Sequence, residues 1–228
     1  LSMFVLRAKC KLTDASGEVP LFGLAGGVVR DALGSSAPLQ AWEAAGVAEG
    51  SHVVRLPDAT LAGGTVPRFL CAGLLPNSLA QELPAMNLEV WNWLEARSGT
   101  ARILAATVEQ FVPQMVNLEL VGGVSFQKGC YPGQEVVARS QYRGTLKRRA
   151  YLLTGATPMQ PGQEIFHDAD PGQPAGRIVL AGAWGGEQAA LAELKIAAAE
   201  TGVLHLATAD GPRLALGSLP YPLPAEAG

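Results

Sequence analysis

The stretch Lys128-Gly129-Cys130-Tyr131-Pro132-Gly133-Gln134-Glu135 concentrates more chemically capable side chains than any other part of this 228-residue chain. Gly129, Pro132 and Gly133 make a backbone that turns sharply and lets a ligand come close, so a thiol carried among them is expected to be accessible. Lys128 and Arg139 are near enough in sequence to favour the thiolate of Cys130 and make it reactive. Gln134 brings two donors and an acceptor, and Glu135 a pair of acceptors, groups suited to the edge of a heterocycle. The same residues also admit a structural role, in which Cys130 is a small hydrophobe filling a turn while Gln134 and Glu135 cap the next strand. On local chemistry alone that structural role is the default. Cys10 and Cys71 stand among apolar neighbours in candidate strands, and for them the structural role is the expected one.

Composition narrows the setting. Three widely spaced cysteines with no CxxC pair argue against a disulfide framework and a structural zinc site, and for a reducing, cytoplasmic compartment. Hydrophobic residues make up 48% and charged residues 16%, and no apolar run approaches the roughly 20 residues needed to span a bilayer, so the chain reads as globular. The opening Leu1–Arg7 is strand-like and has no leader pattern, and a first residue other than Met inside a candidate strand points to a preceding segment. A net charge of −3 excludes a surface that attracts polyanions everywhere. Any RNA contact would have to use the local run Arg139, Arg143, Lys147, Arg148 and Arg149, with Tyr142 among them, which otherwise reads as a solvated strand edge.

The elements that must position these groups follow from periodicity and turn residues. Residues 2–12 and 19–26 read as a strand hairpin about Asp14-Ala15-Ser16-Gly17. Val28–Leu33 reads as a short helix, and Leu39–Val47 as a second one started by Pro38. His52–Leu56 and Arg68–Gly73 follow as strands around a Gly63-Gly64 turn. Leu88, Trp91, Leu94 and Glu95 then fall at helical spacing, with Asn87 as cap and Gly99 as terminator. Strands and helices in this order predict an α+β fold of split β-α-β character over residues 1–144. Beyond a boundary near 145, short strand candidates at 151–154, 163–166, 176–181, 203–206 and 213–216, separated by Pro, Gly and Asp, predict a small barrel or sandwich over 145–228. Glu187–Glu200 is helix-like by propensity, whereas a barrel requires Ala189–Lys195 to be extended.

The order of four segments carries a resemblance. Phe111–Leu118, Gly122–Gln127, the Lys128–Glu135 motif and Val137-Ala138-Arg139 together resemble the signature of bacterial YgfZ and its eukaryotic relatives, which are paralogues of the glycine-cleavage T-protein aminomethyltransferase. Met3–Arg7 is similar to the family's Arg-terminated strand, and Leu219-Pro220-Tyr221 to its ending. The resemblance implies a ring of domains around a channel that receives tetrahydrofolate, a Cys-bearing loop facing that channel, and a six-stranded C-terminal barrel. It further implies support of iron–sulfur enzymes, including one that modifies tRNA. Carried over by motif, Cys130 and Lys128 are the catalytic candidates. Gln134, Glu135, Tyr131, Arg139, Arg102 and Gln114 are the cofactor-binding candidates, and no metal ligands are assigned. Two alternatives stay open: a folate-dependent aminomethyltransferase, and a non-catalytic module that docks tRNA or a protein.

Overall fold

A computed structural model describes residues 9–48, 50–131, 133–142 and 146–224. The chain forms two compact units, one built from the residues up to Pro57 together with Pro67–Pro84, the other from Asp58–Val66 and Ala85 onward. Pairing and burial show an α+β fold ending in a β-barrel.

The sheet runs β1 (Leu21–Ala25), α1 (Gly27–Leu33), β2 (Ala44–Ala48), β3 (Ser51–Leu61), β4 (Gly64–Ala72) and α2 (Asn77–Glu82), with the strands in the order β1-β4-β3-β2; all of it belongs to the first unit except the tip of the β3–β4 hairpin, Asp58–Val66. β1 lies antiparallel to β4, from Leu21 opposite Ala72 to Ala25 opposite Arg68, and β2 lies antiparallel to β3. Alternation puts Leu24, Val53, Phe69 and Cys71 on one face, where Val29 and Leu33 of α1 and Leu79 of α2 close the core. Burial raises the pKa of the Cys71 thiol, in keeping with an inert structural cysteine.

Three expectations change here. Leu39–Val47 is not a helix: Trp42 has φ 72°, a left-handed conformation that breaks any helix, and its N–H donates to Arg55 O at 2.7 Å, feeding the chain into strand β2. The Glu43 carboxylate accepts from the N–H groups of Leu39 and Gln40 at 2.8 and 3.0 Å, bonds that lower its pKa and build a turn where a helix was expected. Of the expected strand 2–12, residues 1–8 lie outside the described residues, while Lys9–Leu12 form no strand. Cys10, expected to be a packed structural cysteine, is exposed.

The second unit begins with α3 (Leu88–Arg97), where the expected cap is present: Asn87 Oδ1 accepts from Val90 N–H at 2.9 Å, and Gly99 closes the helix at φ 66°. Irregular chain with 3₁₀ turns at Ala105–Thr107 and Pro113–Val116 leads to α4 (Gln134–Tyr142). The barrel follows as β5 (Arg148–Gly155), β6 (Glu164–His167), β7 (Gly176–Trp184), β8 (Glu187–Lys195), a short helix α5 (Ile196–Glu200), β9 (Leu204–Leu206) and β10 (Arg213–Leu216), closed in the order β10-β5-β8-β7-β6-β9. Leu153, Ile165, Ile178, Ala190, Ala192, Leu194, Leu204, Leu206 and Leu214 fill its interior. The barrel alternative therefore holds over the sandwich, and Ala189–Lys195 is extended as the barrel requires. Helix α3 crosses β7 at Gly182, where a Cβ would lie 2.2 Å from Trp93 N, so only glycine admits the helix this close.

Candidate functional site

The Cys-bearing loop is held by a closed turn. Tyr131 N–H donates to Gln134 Oε1 at 3.3 Å while Gln134 N–H donates to Tyr131 O at 3.2 Å, and Gly133 at φ 83° supplies the left-handed residue the turn needs. Cys130 is exposed at the head of this turn, so it does not fill a core. The Lys128 ammonium lies 4.8 Å from the centroid of the Tyr131 ring, a cation–π contact that folds the lysine over the loop. Pro132 lies outside the described residues. Gln134 and Glu135 do not cap a strand: they form the first turn of α4, where the exposed Glu135 carboxylate faces the positive end of the helix dipole.

Among its described side chains, helix α4 buries one, Val137, at 5% exposure. The 3₁₀ turn Pro113–Val116 meets it through Gln114, which is fully buried and whose Nε2 donates to Val137 O at 2.7 Å. Gln114 Oε1 has no hydrogen-bond partner. Beside this contact opens a cavity of about 350 Å³, walled by Val112, Gln114, Met115, Arg139, Ser140, Leu146, Lys147 and Arg148. The structure therefore brings Gln114 and Arg139 into one cavity, and gathers Lys128, Cys130, Tyr131 and Gln134 in the loop at the opposite end of the same helix. Cys130 and Lys128 do not line the cavity. Arg102 joins neither group: its Nε donates to Glu95 Oε2 at 2.8 Å and its Nη2 to Asn92 Oδ1 at 2.7 Å, which ties it to the flank of α3.

The turn carrying Gln114 is itself pinned. Asn117 takes a left-handed conformation at φ 58°, donates through Nδ2 to Ala150 O at 2.8 Å, and so stands in as a partner for the edge of β5. It also donates to Tyr221 Oη at 3.3 Å, and Tyr221 in turn donates to Gly99 O at 2.6 Å. Burial raises the pKa of that phenol.

The expected cationic run is broken up by pairing. Arg148 forks onto the buried carboxylate of Glu193, and Arg149 bonds Glu119, so two of its members are structural. Arg143 lies outside the described residues, and Arg139 and Lys147 present exposed side chains at the cavity. The residues sequence reasoning missed are the apolar walls Val112, Met115 and Leu146. They come from two sides of the cavity and share no spacing a pattern could reveal.

Comparison with known proteins finds relatives similar to part of the chain. The chain is 44% identical over 90 residues to the tRNA-modifying protein YgfZ of Escherichia coli strain SMS-3-5, a match covering 40% of this chain and 28% of that protein. The proteins of the same name from E. coli K12 strain DH10B and Shigella boydii serotype 18 are each 43% identical over the same length and coverage. The match thus spans little more than a quarter of these curated relatives. No family model matches the chain.

Proposed function

We propose that this chain is a YgfZ-type, folate-binding factor that supports iron–sulfur enzymes, tRNA modification among their tasks, with Cys130 as its reactive residue. The similarity to YgfZ proteins supports this reading. The observation that carries it is the exposed Cys130 thiol on a turn closed by Tyr131 and Gln134, at the head of the helix whose far end walls a cavity containing Gln114 and Arg139. A thiol placed so is available to a ligand or partner, and the cavity offers an apolar hollow with a few polar groups, the usual composition of a small-molecule site. The chemistry of the walls suits a folate: cations for its carboxylates and an apolar hollow for its ring.

Docking of tRNA on the 139–149 run is the weaker reading, because Arg148 and Arg149 are already engaged by Glu193 and Glu119.

The test is made on the full-length protein. Cys130→Ala should leave stability within about 0.5 kcal/mol of the parent, as expected for an exposed side chain with no partner to orphan, yet abolish support of a cluster-bearing tRNA-modifying enzyme in cells. Tetrahydrofolate should also slow alkylation of Cys130. Full support by the alanine variant would remove the thiol from the mechanism, and alkylation indifferent to saturating folate would remove the link between loop and ligand.

A further inference from the structure

We infer that Gln114 is a positioning residue for Cys130: its buried amide tethers the first turns of α4 to the barrel wall and so fixes where the thiol-bearing loop stands. A continuous run of bonds joins the two residues. Gln114 Nε2 donates to Val137 O at 2.7 Å, and Val137 N–H donates to Gly133 O at 3.4 Å. The turn at Gly133 then closes back on Tyr131 through the paired bonds of Gln134 at 3.2 and 3.3 Å, and Cys130 is the next residue. On the other side the Gln114 carbonyl accepts from Asn117 N–H at 3.2 Å and from Arg149 Nη1 at 3.4 Å, while Asn117 Nδ2 donates to Ala150 O of β5 at 2.8 Å. One side chain thus links a barrel strand to the loop.

The helix has little else to hold it in place. Among its described side chains only Val137 is buried, its neighbour Val136 is 56% exposed, and both are β-branched residues that helices disfavour. Gln114 is fully buried, and its Oε1 is enclosed without a hydrogen-bond partner, so the residue presents no polar atom to a ligand. Turning the amide over would set its oxygen against the Val137 carbonyl oxygen, so the orientation is fixed. The enclosed oxygen is a standing cost, and the bond from the nitrogen is what the side chain contributes. Gln114→Met keeps the length, removes the tether and relieves the orphaned acceptor. The last two changes oppose each other in stability, but both leave the loop without its anchor.

Amide hydrogen exchange of the full-length protein reads the tether. Gln114→Met should speed exchange at Tyr131, Gln134 and Val137 about fivefold to tenfold, the worth of one hydrogen bond, and leave the barrel amides as they are. Gln114→Glu is the conservative counterpart: a carboxylate cannot donate to Val137 O, whereas a protonated carboxyl can. Its loop exchange, taken relative to the parent at each pH, should therefore recover as pH falls, and that of Gln114→Met should not. Should Gln114→Met misfold, the acid recovery of Gln114→Glu decides alone. Acceleration spread evenly through the barrel, or loop exchange alike in all three proteins, overturns the inference. It rests on the folate reading only for what the placement serves, so tetrahydrofolate should slow Cys130 alkylation severalfold less in Gln114→Met than in the parent. The exchange effect with folate protection in neither protein upholds the tether and overturns the folate reading. Equal protection in both, with exchange unchanged, overturns the tether and upholds that reading.

Discussion

Replacing Arg148 by Met asks whether the cationic run is a recognition surface or part of the fold. The Arg148 guanidinium forks onto both oxygens of Glu193, with Nη2 to Oε2 at 3.1 Å, and Nη2 also reaches Ala175 O at 3.4 Å. The Glu193 side chain is only 4% exposed, and that of Arg148 28%. Breaking a buried pair by removing one partner costs about 3–5 kcal/mol, because a desolvated charge is left behind, and the partial exposure of this pair puts the expected loss near 3 kcal/mol. For a chain of this length each kcal/mol lowers Tm by about 2–4 °C, so Arg148→Met should melt roughly 6–12 °C below the parent. Lys147→Met, one residue away and exposed, should stay within about 0.5 kcal/mol. Combining Arg148→Met with Glu193→Met should recover most of the loss, since the orphaned carboxylate goes with its partner. Thermal unfolding of these four proteins makes the comparison, and Glu193→Met alone completes the double-mutant cycle. If Arg148→Met melts together with Lys147→Met, the pair is not structural and the whole run is again available for a polyanion.

Two further outcomes follow from the clasp at Tyr221 and the crossing at Gly182. Tyr221→Phe removes the bond to Gly99 O and one acceptor of Asn117, which should cost about 1–1.5 kcal/mol. Because burial raises the phenol pKa above its ordinary 10.0, the unfolded chain loses this proton first as pH rises; the contribution is complete below pH 10 and is lost towards the folded value. Urea unfolding between about pH 9.5 and 11 should therefore fall more steeply for the parent than for Tyr221→Phe, and equal slopes would contradict the assignment. Gly182→Ala drives a Cβ to 2.2 Å from Trp93 N and 2.4 Å from Glu89 O, backbone atoms that cannot rotate aside. The expected cost is at least about 1–3 kcal/mol, with loss of near-ultraviolet dichroism from the Trp93–Trp184 pair; an unchanged spectrum and Tm would show that α3 does not rest on β7 as described.

How much of this was legible in the chain depended on whether a segment's surroundings are local. Helix α3 was readable because its cap and terminator lie within Asn87–Gly99 and both are realised, whereas the buried face is made by Trp93, Leu94 and Ala96 and the expected Leu88 is exposed. Strand β8 was contradictory because Ala189–Leu194 is buried on both sides, Ala190, Ala192 and Leu194 inside the barrel and Ala189, Leu191 and Glu193 on its other face. A strand covered twice loses the alternation that marks a strand, and its small residues then mimic a helix. Strand β2 was misread for a different reason: the left-handed Trp42 is imposed by pairing with Arg55, thirteen positions along the chain, and no nearby residue announces it.

The same distinction governs the site. The loop Lys128–Glu135 was legible as a sharp turn because Gly133 and Gln134 make their bonds within four residues. Helix α4 was not, because Val136-Val137 are β-branched and favour a strand on propensity, and the contact that overrides them is Gln114 reaching Val137 O from twenty-three residues away. That one bond changes what the motif means. As a strand, Gln134 and Glu135 would point to opposite faces and only one could serve a ligand. As the first turn of a helix, Gln134 is spent on holding Tyr131, Glu135 stays exposed at the positive helix end, and the buried amide of Gln114 packs against the helix at Val137. The glutamine with an oxygen to spare is therefore the one outside the motif, and the conspicuous glutamine inside it is the one already occupied.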